Sequence, residues 1–332
     1  MINSRLISNY ELEDYLLGSS KVNEVEALLK QQNKTWTLSQ KNYNDLKSVK
    51  KKEFDFGSFK IYLQFNPGRI ISSSAKVDSK SIQERPCFLC YKNLPSEQKG
   101  ILFDEKYLLL VNPFPIFEEH FTIPIINHQA QEIESSFFDM LSLAKNLGEK
   151  YTLFYNGPRC GASAPDHLHF QASPKNSMPV EVEIDNLIEN SIEMKKDKNI
   201  VVYSISNYLR NIFFIESGSK EEVAKEFYRL YELIQTETNS KAEPLLNVIV
   251  SFDEKWRVFI FPRKAHRPSQ FFAEGNAKIL LSPAAVDFGG LLITPREEDF
   301  DKLTKNDIED IFRQTTLDDA IIHKIIQKYS VT

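Results

Sequence analysis

The chain has 332 residues, of which 42% are hydrophobic and 26% charged, and its formal net charge is −5. That length buries a substantial core as one large domain or two ordinary ones, and the composition is that of a soluble globular protein. The acidic balance excludes wholesale nucleic-acid binding, yet leaves room for a small phosphorylated ligand that needs only a few local cations. The first twenty residues, "MINSRLISNYELEDYLLGSS", lack a continuous apolar h-region. No apolar run approaches the roughly 20 residues that span a bilayer. Three cysteines, two of them in "CFLC", make no disulfide framework. A reduced, cytoplasmic setting without membrane contact is expected.

Residues 1–50 alternate charged and apolar positions with a helical period, and "KSVKKKEFD" reads as a solvated basic linker. "FKIYLQF" (59–65) alternates as a strand, broken by "NPG" at 66–68. "KYLLLVNPF" and "HFTIPII" predict a strand pair around a Pro-bounded turn. Phe137, Met140, Leu141 and Ala144 recur at helical spacing, with Gly148 suited to the stop. "YTLFYNGP" predicts another strand, followed by a Gly-containing loop and "APDHLHFQA" (164–172). Residues 173–198 are polar and Pro-punctuated, as a connection would be. "NIFFIE" then predicts a strand, "SKEEVAKEFYRLYELIQ" a helix with a Ser219–Glu222 capping box, and "LLNVIVSF" and "WRVFIFP" two strands. The tail after "GGLLITP" is helical and charged. Strand, helix, strand, strand thus occurs twice, which predicts an α+β duplication. The expected organisation is a helical segment over 1–50, a first unit over 51–175, a connection over 176–198 and a degenerate second unit over 199–332.

In an extended strand His167, His169 and Gln171 share one face, while Leu168, Phe170 and Ala172 turn toward a core. A neutral imidazole attacks phosphorus and leaves readily once protonated, so it can carry a phosphoryl or nucleotidyl group between two acceptors. Its other ring nitrogen must be held by an acceptor that sets the tautomer. Fixed donors must stabilise the charge on the non-bridging oxygens. Gln171 offers an amide donor without a titratable proton, which favours group transfer over hydrolysis. In the preceding loop "NGPRCGAS", Gly157 and Gly161 permit close backbone approach, and Ser163 and backbone N–H groups suit a phosphate. Asn156 fixes that loop or meets a ligand hydroxyl. The alternative for the two histidines is a metal pair or incidental polar residues.

"CFLC" offers Cys87 and Cys90 as thiolates to Zn²⁺, and without a second CxxC the remaining ligands must be histidines or carboxylates. His128 and His167 are the candidates, with His120 the spare. A metal-free structural pair is the other reading. Cations for phosphates come from elsewhere: Arg69 follows a Pro-Gly turn beside three serines, and Arg263, Lys264, His266 and Arg267 follow a strand. The second cluster is the choice for a second substrate's phosphate; Arg159 and Lys175 are weaker candidates.

"GASAPDHLHFQA" resembles the active-site segment of the transferase branch of the histidine-triad superfamily, whose pattern is H-x-H-x-Q. Its wording is most similar to GDP-L-galactose phosphorylases, "CFLC" to galactose-1-phosphate uridylyltransferases, and "NPFPIFEEHFTIPIINHQ" to diadenosine tetraphosphate phosphorylases as well. The resemblance spans about residues 60–175, and is faint in "WRVFIFPRKAHRP" and "GGLLI". It implies two tandem histidine-triad-like units forming a mainly antiparallel sheet flanked by helices. By position it implies His169 as the nucleophile that becomes nucleotidylated and Gln171 as the residue bonded to the transferred phosphate. Gly161 and Ser163 would form the phosphate loop, Asn156 its support, and Cys87, Cys90, His128 and His167 the zinc set. Asp166 and a longer Gly-to-His spacing depart from the uridylyltransferases, so His167 either binds metal or orients His169. Dimers are common in the superfamily, which makes a homodimer an expectation without an interface.

The expected activity is that of a nucleotidyltransferase or phosphorylase. It would act on a nucleotide sugar or dinucleoside polyphosphate, with phosphate or a sugar phosphate as acceptor. The alternatives are a nucleotide hydrolase of the histidine-triad type and a silent nucleotide- or sugar-phosphate-binding protein. No motif fixes the base.

Overall fold

The computed structural model of the chain describes residues 2–70 and 78–331. The serines beside Arg69, Ser72–Ser74, lie outside the described residues. Two sheets organise the rest. The small one runs β1 (Lys50–Asp55), β2 (Lys60–Phe65) and β13 (Leu291–Thr294), with β13 parallel to β2. The large sheet has ten strands. Its first half is β3 (Gly100–Phe103), β4 (Tyr107–Val111), β5 (Phe121–Pro124), β7 (His169–Pro174) and β6 (Tyr151–Asn156). From the opposite edge it reads β8 (Ile192–Asp197), β9 (Ile200–Ile205), β10 (Ile212–Ser217), β12 (Lys255–Pro262) and β11 (Leu246–Asp253). Each half therefore has the same order, with a helix after its third strand: Phe137–Leu147 in the first and Lys220–Glu237 in the second. The halves join antiparallel through β6 and β11, with Asn156 opposite Asn247.

Strand alternation sorts the side chains onto two faces. Leu153, Tyr155, Phe170, Ala172, Val248, Val258 and Ile260 point to one face and form a core with the helices. Phe137 stacks on Phe227 with ring centroids 3.5 Å apart, locking the two equivalent helices together. Such a pair contributes roughly 0.5–1.5 kcal/mol beyond its buried area. Gly148 ends the first helix where a Cβ would lie 2.8 Å from the Cβ of Phe252, so the close approach of helix and sheet requires glycine. On the other face, Phe214, Ile249, Phe259 and Phe261 are covered by β2, β13 and the helix Lys305–Thr315. In the first half that face is left open as the floor of a cleft, and there the alternation places His169 and Gln171 instead of apolar residues.

The twofold strand–helix–strand–strand pattern is therefore present, and three local expectations change. "KSVKKKEFD" is not only linker: Lys50–Asp55 is β1, an edge strand with Lys50 and Lys51 exposed and its backbone hydrogen bonds going to β2. The stretch 176–198 contains the helix Pro179–Leu187 and β8, with Val180 and Ile184 buried. The capping box is half made: the Ser219 hydroxyl accepts from the Glu222 N–H, but the Ser219 N–H goes to Ser217.

Candidate active site and metal cluster

The strand predicted through both histidines begins only at His169. His167 lies just before it, so its ring leaves the row and turns to a separate cluster. There Cys87 Sγ, Cys90 Sγ, His128 Nδ1 and His167 Nδ1 lie within 4.8 Å of one another and could hold a metal ion. The Nε2–H of His167 donates to the Ile125 carbonyl at 2.6 Å, leaving its Nδ1 lone pair for the cluster. Burial pushes the Cys87 thiol up to about 12, so a thiolate there calls for a cation. The two readings of His167 meet in one residue: its ring joins the cluster, and its main chain orients the neighbouring histidine.

That orientation is direct. His169 Nδ1 lies 2.8 Å from the His167 carbonyl, so Nδ1 carries the proton and Nε2 keeps its lone pair. Gln131, fully buried, clamps the backbone: its Oε1 accepts from the His169 N–H at 2.7 Å, and its Nε2 donates to the carbonyls of His169 and Asn156. Burial pushes the His169 imidazole down to about 4. His169 and Gln171 line a cleft of about 370 Å³ with Asn156, Gly161, Ser163, Arg69 and Arg267.

Two amides in this cleft are held by their oxygens. His120 Nδ1 accepts from the Ile116 N–H at 3.1 Å, so its proton is on Nε2, which donates to Gln171 Oε1 at 3.0 Å. Asn156 Oδ1 accepts from the Ala285 N–H at 2.8 Å and from Asn247 Nδ2 at 2.9 Å. In both residues the NH₂ group remains for a ligand. Asn247 is itself fixed, because its Oδ1 accepts from Arg263 Nη1 at 2.6 Å. Gly161 has φ +98, and a Cβ there would lie 2.5 Å from that of Ala284, so the loop can close against the second half only with glycine.

The cation cluster of the second half divides. Arg267 and His266 line the cleft, where Arg267 Nε donates to Ser282. Arg263 does not: it is 1% exposed, and its guanidinium donates to Asn247 and to the carbonyls of Thr315, Pro283, Ala265 and His266. It braces the site from behind, since burial with five acceptors leaves it no donor for a phosphate. Lys264 pairs with Asp318 at 2.5 Å, outside the cleft. Arg159 donates to the Glu243 carbonyl, and Lys175 lies 3.9 Å from Asp253 in a separate depression. Asp287 also lines the cleft, with both carboxylate oxygens accepting from backbone N–H groups and burial raising it to about 6.

His120 is the residue that sequence reasoning placed least well. The spare zinc candidate stands outside the metal cluster and behind Gln171. Gln131 and Asn247 carried no sequence signal at all.

Burial, with Arg69 nearby, pushes His120 down to about 3. The unfolded chain protonates this side chain below about pH 6.5, whereas the folded chain resists until about 3. Stability from this group is thus full above pH 6.5 and lost as the pH falls toward 3. Urea unfolding near pH 7.5 and near pH 5 should show wild type losing roughly 2 kcal/mol more than His120→Phe on acidification. Equal losses would mean that the folded chain protonates His120 freely.

Comparison with known proteins agrees with this architecture. Residues 28–174 match a family described as a domain of unknown function (DUF4922), and residues 182–330 match the GDPGP1-like, C-terminal domain. No curated protein matches the chain in sequence. Among solved structures, yeast Ap4A phosphorylase Apa2 in complex with Ap4A is similar with a TM-score of 0.55 at 17% identity, over 87% of this chain and 97% of that one. Its complex with AMP gives 0.54 at 17% identity, over 87% and 96%. No helix among the described residues is long and apolar enough to cross a membrane. Residues 182–330 thus match a GDPGP1-like C-terminal domain, and over 87% of its length the chain shares the fold of yeast Ap4A phosphorylase Apa2.

Proposed function

We propose that the chain is a nucleotidyltransferase or phosphorylase that splits a dinucleoside polyphosphate or nucleotide sugar through a covalent nucleotidyl-His169 intermediate. The observation that carries this is the tautomer of His169, whose Nδ1–H is held by the His167 carbonyl and whose Nε2 lone pair faces the cleft. In the first step the Nε2 lone pair forms the P–N bond as the P–O bond to the leaving nucleoside polyphosphate or sugar phosphate breaks. In the second, an acceptor oxygen forms a new P–O bond and the imidazole leaves. The NH₂ groups of Gln171 and Asn156 donate to the non-bridging oxygens, where charge accumulates. Arg69, Arg267 and Ser163, which line the same cleft, would take the remaining phosphate oxygens. An amide held by its oxygen is a poor base, which favours transfer to phosphate or a sugar phosphate over attack by water. The Apa2 structures with Ap4A and AMP support nucleotide ligands for this fold.

The cluster of Cys87, Cys90, His128 and His167 fits zinc. Tetrahedral zinc, with bonds of ~2.3 Å to sulfur and ~2.0 Å to nitrogen, sets N–N edges of about 3.3 Å and S–N edges of about 3.5 Å. The His128–His167 nitrogens are 3.2 Å apart, and three of the four S–N separations are 3.2–3.6 Å, with all four atoms within 4.8 Å of one another. Bound there, zinc would supply structural cross-linking of three segments. Cys90→Ser should lose the metal, measured by elemental analysis, and lower the unfolding midpoint by about 5 °C or more. Wild-type protein purified without chelator and free of zinc would refute the assignment.

Turnover is tested with a panel of dinucleoside polyphosphates and nucleotide sugars, each with phosphate, with a sugar phosphate, or with water alone. Acceptor-dependent cleavage is the expected result. Equal rates in water alone would identify a hydrolase.

A further inference from the structure

The loop between β4 and β5, "NPFPIFEEH" (112–120), is held by side chains from outside it. Four successive carbonyls each accept from one of them. Pro113 accepts from Asn42 Nδ2 at 2.6 Å, Phe114 from Arg69 Nη1 at 2.7 Å, Pro115 from Asn66 Nδ2 at 2.9 Å and Ile116 from Gln64 Nε2 at 3.1 Å. Of these four residues only Phe114 and Ile116 have an N–H, since the other two are prolines. The Phe114 N–H goes to Asn112 Oδ1, and the Ile116 N–H to His120 Nδ1. The main chain of His120 is fixed as well: the Tyr43 hydroxyl donates to its carbonyl at 2.9 Å and accepts from its N–H at 3.3 Å.

One of the four carbonyls leads to the reacting centre. The C=O of Pro115 and the N–H of Ile116 belong to a single conjugated peptide group, which joins the bond accepted from Asn66 to the bond given to His120. His120 passes the same polarity on, accepting at Nδ1 at 3.1 Å and donating from Nε2 to Gln171 Oε1 at 3.0 Å. Carboxamide, peptide, imidazole and carboxamide thus stand in series with every donor pointing onward, and the last donor is the Gln171 NH₂ in the cleft. Bonds in such a chain polarise one another, each strengthening the next by about 10–30%. Asn66 is not part of the cleft lining. It is 5% exposed, follows β2, and lines a separate depression with Asn42 and Pro115. Its own N–H donates to the Thr294 carbonyl at the end of β13, so the small sheet sets its place. Asn42 heads a comparable run, through the Pro113–Phe114 peptide to Asn112, that does not reach Gln171.

Resting on the transferase reading, we infer that Asn66 is a positioning residue for group transfer. It heads a hydrogen-bond chain, from Asn66 through the Pro115–Ile116 peptide and His120 to Gln171, that aims and strengthens the amide donor in the cleft. The small sheet, which contributes no residue to the covalent step, thereby acts on the developing charge through three hydrogen bonds.

Solution NMR of the full chain, free of ligand and carrying ¹⁵N-labelled histidine, reads the chain directly. The reporter is the proton on His120 Nε2, and the internal reference is the proton on His169 Nδ1, whose bond to the His167 carbonyl lies outside the chain. Asn66→Leu and Asn66→Ala should move the His120 signal upfield, as a weakened hydrogen bond does, and leave the His169 signal in place. In turnover with phosphate both should lower kcat by roughly three- to tenfold with KM little changed. Added to Gln171→Ala, either should cost nothing further. Asn42→Ala, which unties a carbonyl of the same loop but not of this chain, should leave the His120 signal and kcat as in wild type. A His120 signal unmoved by both Asn66 variants, an equal loss in Asn42→Ala, or loss of the fold in both Asn66 variants would overturn the assignment even if His169 is labelled. If the His120 signal moves as stated while wild type neither labels His169 nor cleaves any donor, the transferase reading falls instead.

Discussion

His169→Ala is expected to slow nucleotide transfer by about 10⁴-fold or more, because it removes the atom that forms the covalent bond. The loss should fall on kcat, with donor affinity nearly unchanged, since Gln171, Asn156, Arg69 and Arg267 all remain in the cleft. The fold should survive. The ring's one hydrogen bond goes to the adjacent His167 carbonyl, and the Gln131 clamp holds backbone atoms that the substitution leaves in place. Unfolding midpoint and zinc content are the controls. A variant that keeps wild-type turnover would refute the covalent route.

The next largest effect is expected at Gln171. Removing one pre-aligned donor to developing charge costs about 10²- to 10³-fold in kcat, and Gln171→Ala should fall in that range. His120 acts through Gln171 and is a positioning residue. Without its Nε2–H the amide is free to turn its oxygen toward the phosphate. His120→Phe should therefore lower kcat by roughly tenfold or more with KM little changed. The double variant His120→Phe/Gln171→Ala should be no slower than Gln171→Ala alone. Additive losses would show that His120 contributes by another path, and an unaffected His120→Phe would remove the positioning role.

How much of this was legible in the sequence follows from the range of the signals. The alternation of "HLHFQA" placed Leu168, Phe170 and Ala172 in the core and Gln171 on the open face, because strand parity is a local property. The same parity misled at His167, because the strand begins two residues later and the ring follows the loop. Spacing exposed Cys87 and Cys90, and His128 and His167 were preferred over the nearer His120 to complete the set. Arg263 shows the limit. A cation after a strand reads as exposed, yet the register of β11 against β12 and the turn after it bury the guanidinium beneath Asn247. Whether a charge faces the cleft or braces it depends on pairing between residues far apart in the chain. The same holds for His120 and Gln131, whose partners lie 51 and 38 residues away.

The central claim is a phosphorus–nitrogen bond on one imidazole. The most direct measurement is intact and peptide mass spectrometry of the protein after incubation with donor and no acceptor, kept at neutral to alkaline pH because phosphoramidates are acid-labile. The account predicts one nucleoside monophosphate per chain, on the peptide bearing His169. The label should discharge on addition of phosphate or a sugar phosphate and be absent from His169→Ala. Acceptor-dependent turnover with no protein-bound nucleotide at any time, or with the nucleotide on another residue, would contradict it.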